Sequence, residues 1–149
     1  MCYAVDNFKQ ISSYPVEQYT DYPVVQLGDH YKSLLIAQAL GDGKSWMLMT
    51  PFTVEIVRYG RITVPAGFVF DFASIPIFAR AVYQPATGKH RTASVIHDWL
   101  YYSGMYSREE ADEIFAILME LDGVMKVNVK IMHTAVRAGG WLYWNKRHK

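Results

Sequence analysis

The hydrophobic period of this chain changes once, near residue 90, and that change constrains the fold more than any other feature. Between residues 22 and 72, short apolar runs alternate with turn chemistry, as strands do. Pro23-Val24-Val25-Gln26-Leu27 is the first such run. Residues 33–40 fit strand or helix by composition, but Gly41-Asp42-Gly43-Lys44 follows them. Asp-Gly accommodates the positive φ of a tight hairpin turn, so 33–40 reads as a strand and 46–49 as its return. Residues 52–57 read as another strand, Tyr59-Gly60 as its turn, and 61–64 as the returning strand that Pro65-Ala66-Gly67 ends.

After residue 90 the spacing becomes helical. Ala93, Ile96 and Trp99 or Leu100 recur along one face of residues 90–103, and Gly104 supplies a stop. Ser107-Arg108-Glu109-Glu110 is a capping box, in which the serine side chain takes the N3 amide and Glu110 reaches back. The helix it opens carries Ala111, Ile114, Phe115, Leu118 and Leu121 on one stripe and ends at Asp122-Gly123. A third helix is predicted over 126–143, with Val129, Met132, Val136 and Trp141 toward the core. Strands first and helices afterwards define an α+β class: an N-terminal antiparallel β-sheet with hairpins, followed by a bundle of about three α-helices. The expectation is one domain over 1–149, with an irregular arm at 1–20, mostly β structure at 21–76 and mostly α structure at 77–149.

Composition narrows the function classes. Fifteen Lys and Arg against fourteen Asp and Glu leave a net charge of +1, which argues against a nucleic-acid-binding module. A single cysteine, Cys2, excludes an intramolecular disulfide and a CxxC metal knuckle. No apolar run reaches the ~18–20 residues that span a bilayer, and the opening MCYAVDNFKQ has neither the basic nor the apolar region of a secretory leader. Aromatic residues make up 15%, more than one small core accommodates, which predicts some at a surface or interface.

Two segments carry possible chemistry. In Val64-Pro65-Ala66-Gly67-Phe68-Val69-Phe70-Asp71-Phe72-Ala73-Ser74-Ile75-Pro76, the acid Asp71 stands alone among apolar residues. In His97-Asp98-Trp99-Leu100-Tyr101, an imidazole and a carboxylate sit in an apolar helix. Buried charges need partners. His97 lies six residues before Ser103, and Asp112 five residues after Ser107, so the two stand at similar height on facing helices. Asp112 is therefore positioned to bond one ring nitrogen of His97 and leave the other as a base. Tyr101, one turn after His97, would hold the network together. Asp98 points about 100° away around the helix, where it could meet Asp71. Two carboxylates with backbone carbonyls would suit calcium. The alternatives are structural: a satisfied core network, Asp71 capping a turn with Ser74, and Asp98 paired with Arg91 or Arg137. His133 and Arg137, spaced i, i+4, either join the cluster or face solvent. His30, His90 and His148 have no evident partner. No HExxH, phosphate-cradling glycine loop or GxSxG elbow is present.

These motifs resemble a family of small proteins of unknown function encoded by tailed phages and prophages. The likeness rests on residues 64–76, His97-Asp98-Trp99-Leu100-Tyr101, Arg108 to Phe115 with its Ala111-Asp112 pair, and Ala135-Val136-Arg137-Ala138-Gly139-Gly140, in that order. It covers roughly residues 51–144; Phe70 departs from it, standing where that family usually has Thr. The resemblance implies a phage context and no defined activity. A second, narrower resemblance is to the small prokaryotic and fungal phospholipases A2, over the helical hairpin and the loop before it. It implies that His97 activates water, Asp98 and Asp71 bind calcium, and Asp112 orients the histidine. The interhelical spacing is shorter here and the disulfides of those enzymes are missing.

The expectation drawn from all this is a virion-associated structural protein made in the host cytoplasm, a tail or baseplate component engaging other virion proteins in a multi-subunit assembly. It would bind no nucleic acid, have no transmembrane segment, need no cofactor, and could touch the host envelope. The alternative is a calcium-dependent, phospholipase A2-like hydrolase acting on host envelope lipid, with His97, Asp112 and Tyr101 at its centre.

Overall fold

The computed structural model describes residues 25–27, 30–71 and 88–148. The irregular arm expected at 1–20 lies outside them, as do residues 72–87. The chain divides into two compact units, Met1–Asp71 and Phe72–Lys149.

The first unit is built of antiparallel strands: β1 Val25–Leu27, β2 His30–Lys32, β3 Ala37–Ala39, β4 Trp46–Leu48, β5 Phe52–Ile56, β6 Gly60–Val64 and β7 Val69–Phe70. They form a four-stranded sheet in the order β1-β2-β5-β6 and a three-stranded sheet in the order β3-β4-β7. Both expected hairpins are present. In the first, Ala39 pairs with Trp46, and the turn is held by Asp42, whose carboxylate accepts from the Lys44 and Ser45 amides and the Ser45 hydroxyl. These bonds hold Asp42 well below its ordinary pKa, at about 2. In the second, Ile56 pairs with Gly60, whose φ of 75° is the left-handed residue that a three-residue hairpin loop requires. The strands β5 and β6 alternate as their sequence does. Phe52, Val54, Ile56, Ile62 and Val64 are buried while Thr53 and Thr63 meet on the other face, their hydroxyls 2.9 Å apart. β2 and β7 were not expected. Each is too short to show a period, and each exists because a neighbour's edge accepts it: Tyr31 pairs with Glu55, and Phe70 with Trp46.

The second unit contains α1 Arg91–Ser103, α2 Arg108–Leu121, α3 Lys126–Gly139 and α4 Trp141–Arg147. Gly104 ends α1 in the left-handed conformation (φ 64°), and its amide returns to the Leu100 carbonyl. The capping box is formed in full: Ser107 accepts from the Glu110 amide, and Glu110 accepts from the Ser107 amide. Ser107→Ala is expected to lower stability by about 1 kcal/mol, the usual cost of losing such a cap, measured by urea unfolding. The far ends of the helical hairpin are joined by the Thr92 hydroxyl, which donates to Asp122. Ala93, Ile96 and Leu100 on α1 and Ala111, Ile114, Phe115 and Leu118 on α2 are buried, as are Val129, Met132 and Val136 on α3.

The helix expected over 126–143 is broken in two at Gly140. A Cβ built on Gly140 would overlap the Tyr101 hydroxyl oxygen and lie 2.5 Å from the Val136 carbonyl oxygen. The chain thins to glycine there so that α1 can bring Tyr101 against it. Trp141, expected in the core, is instead half exposed.

Candidate functional site

The polar residues at the middle of α1, His97 and Asp98, are sealed within the second unit. His97, Asp98 and, on α2, Asp112 each expose 1% of their surface or less. Antiparallel packing of α1 and α2 around Gly104 sets His97 opposite Asp112. The His97 Nε2 lies 2.8 Å from Asp112 Oδ1, and the Tyr101 hydroxyl donates to the same oxygen at 2.7 Å. The other oxygen, Oδ2, accepts from Arg108 Nη1 at 3.4 Å, one turn earlier on α2, and from Arg137 Nη1 at 3.3 Å on α3. Arg108 also donates to the Arg137 backbone carbonyl at 3.1 Å. Arg137 therefore joins the cluster, and its carboxylate partner there is Asp112. The sequence signal for Arg108 was its i, i+4 spacing from Asp112; no local spacing shows that Arg137 reaches the same oxygen from another helix.

The rings around the network are packed. The His97 ring sits 4.2 Å from Tyr101 and 4.7 Å from Phe115, centre to centre. Trp144 of α4 meets Tyr101 edge-on at 5.4 Å and lies tilted against His148 at 4.3 Å. The His148 Nε2 lies 3.0 Å from the Tyr101 carbonyl oxygen, giving that histidine a place the sequence did not indicate. Four helices thus converge on Asp112 and the aromatic rings around it.

The electrostatics follow from these contacts. Burial alone would raise the Asp112 pKa, but the hydrogen bonds from His97, Tyr101 and Arg137 and the charge of His97 outweigh it and hold the carboxyl below its ordinary value of 3.8. Burial and the adjacent Asp112 carboxylate push the Tyr101 phenol far up, so it stays protonated and donates. Because the folded pKa of Asp112 is depressed, its contribution to stability is complete above about pH 3.8, the unfolded value, and is lost as pH falls through the folded value. Asp112→Asn should accordingly show a flatter acid limb than the wild type in urea unfolding measured from neutral to acid pH.

The Nδ1 of His97 is buried and has no hydrogen-bond partner among the described residues. In the neutral ring, a proton on Nε2 serving Asp112 leaves a lone pair on Nδ1. Asp98 lies on the same helix, fully buried, in the second unit, and Asp71 follows β7 at the end of the first, half-buried. Ser74 lies outside the described residues. Among the described residues, no group of three or more His, Cys, Asp or Glu side chains is arranged to hold a metal ion. No described helix is long and apolar enough to cross a membrane.

A family profile described as "Protein of unknown function (DUF1353)" matches residues 46–136. That span runs from β4 to the last turns of α3 and includes His97, Asp98, Tyr101, Arg108 and Asp112. No curated protein and no solved structure matches the chain.

Proposed function

The chain belongs to the DUF1353 family, and we propose that it is a structural protein of a tailed-phage particle, a tail or baseplate component, whose His-Asp motif locks its helical unit instead of performing chemistry. One observation carries this reading: the Asp112 carboxylate is saturated by four donors from three helices and is closed to solvent. A structural hub needs its lone pairs occupied, as those of Asp112 are, and a catalytic base must exchange its proton with a substrate or water, whereas the His97 ring that would act as base exposes 1% of its surface. Two arginines on the orienting carboxylate also oppose the imidazolium that base catalysis would form beside it. The phage context rests on the motif resemblance alone. The test is detection of the chain in purified particles of a phage that encodes it, by mass spectrometry. Its presence in fixed proportion to the tail proteins is expected; particles that lack it would overturn the assignment.

A second reading is favoured by the unbonded Nδ1 of His97. In a hydrolase, that atom would take a proton from water as the water oxygen attacks an ester carbonyl, with Asp112 holding the ring. Calcium would draw on Asp98 and Asp71, with backbone carbonyls and water supplying the rest of its ~6–8 oxygen ligands. Among the described residues no group of three or more His, Cys, Asp or Glu is arranged to hold a metal ion, and no step is assigned to one. Fatty-acid release from phospholipid vesicles, present in wild type and absent in a folded His97→Asn protein, would replace the structural reading with this one.

A further inference from the structure

The outer face of α3 and α4 is not used by the network described above, and its chemistry is distinctive. Residues 124–149 hold six of the fifteen Lys and Arg and none of the fourteen Asp and Glu. The rest of the chain is therefore net acidic, and the positive charge is concentrated on these two helices. The same helices leave large apolar side chains in solvent: Val127, Ile131, Trp141 and Leu142 each expose two-fifths or more of their surface.

Charge and apolar surface are sorted on α3. Lys126 and Lys130 each precede an apolar residue, Val127 and Ile131, so the cationic row runs beside the apolar row about 100° around the helix. Both rows fall within an outward arc of about 140°, while Val129, Met132 and Val136 face inward. Gly140 stays in the right-handed helical region (φ −65°, ψ −22°), and Trp141 and Leu142 carry exposed apolar surface on beyond it. Among the described residues no carboxylate is bonded to Lys126, Lys130 or Lys146.

We propose that this face of α3 and α4 docks on an anionic lipid bilayer surface. Charge complementarity selects a negative partner, since these helices present cations and no carboxylate. The sorting selects a lipid interface over an acidic protein. A convex helix with apolar residues on one flank and lysines on the other can sink the first among acyl chains. The lysine stems then reach back to the phosphate headgroups. Trp141 and Tyr143, aromatic with one polar end, suit the headgroup boundary. The inference does not depend on whether the His97 network is structural or catalytic.

The test is co-sedimentation of the full chain with vesicles of phosphatidylglycerol and phosphatidylcholine in equal parts, and with vesicles of phosphatidylcholine alone. Binding to the anionic vesicles only, weakened by added salt, is expected. The Lys126→Ala/Lys130→Ala variant should bind on the order of thirtyfold more weakly, about fivefold for each cation removed near an anionic surface. Ile131→Ser/Leu142→Ser should also weaken binding. All four positions are solvent-exposed, so a matching thermal melt establishes that each variant is folded. No binding to anionic vesicles, equal binding to both vesicle types, or unchanged binding of both variants would each overturn the proposal. Retention on immobilised polyglutamate without vesicle binding would likewise overturn it and assign the face to an acidic protein.

Discussion

Asp112→Ala is expected to be the most damaging single substitution in the second unit, lowering unfolding free energy by about 3–5 kcal/mol, as breaking a buried ion pair by removing one partner does. The wild-type carboxylate accepts from His97, Tyr101, Arg108 and Arg137 at once. Removing it leaves a buried imidazole and phenol without their shared acceptor and two guanidinium groups facing a cavity. Asp112→Asn keeps the shape and one acceptor oxygen but loses the charge that both arginines meet, so it should fall between alanine and wild type. Equilibrium urea unfolding of the full chain, followed by circular dichroism, gives both values. Equal stability of all three proteins would mean that the four contacts contribute nothing net.

The second large effect is expected at Gly140. An added methyl would overlap the Tyr101 hydroxyl oxygen and sit 2.5 Å from the Val136 carbonyl oxygen, well inside contact distance. Gly140→Ala must therefore push Tyr101 off Asp112 or open the junction between α3 and α4. Overpacking of this kind costs about 1–3 kcal/mol, and the lost hydrogen bond to a charged acceptor adds about 1.5–3 kcal/mol more. The backbone dihedrals at Gly140 are right-handed helical, so alanine meets no backbone strain there. A destabilising effect therefore reports the close approaches of the Tyr101 hydroxyl and the Val136 carbonyl. In the double variant Gly140→Ala/Tyr101→Phe the hydroxyl is gone, so the part of the loss due to its overlap with the methyl should be recovered, while the lost hydrogen bond to Asp112 and the contact with the Val136 carbonyl remain. A stabilised Gly140→Ala protein would contradict the packing described.

What the sequence reveals about this fold depends on whether the determinant is local. The capping box, the Gly104 stop and the Gly60 turn each act within a few residues, and each is readable from a short window. The height match of His97 and Asp112 is also local in this sense, because a short connection fixes the register of an antiparallel hairpin. Tyr101 follows from its one-turn spacing. The strands β2 and β7 are different, since three and two residues carry no period and owe their state to partners far along the chain. The need for glycine at the break of the long C-terminal helix is of the same kind, because the Tyr101 hydroxyl that packs against Gly140 comes from another helix. Arg137 on Asp112 and His148 on the Tyr101 carbonyl are contacts of the same long-range kind. Composition showed that aromatic residues must reach the surface, and the structure identifies Trp141 and Tyr143 among them.

The central claim, that the His97–Asp112 pair holds the helical unit together, is tested most directly by the urea unfolding free energy of His97→Ala against wild type at neutral pH. The account predicts a loss of about 1–3 kcal/mol, the cost of leaving a buried acceptor without one of its donors. A His97→Ala protein as stable as wild type, or more stable, would contradict the structural role. It would identify His97 as a residue kept at the expense of stability, as catalytic groups are.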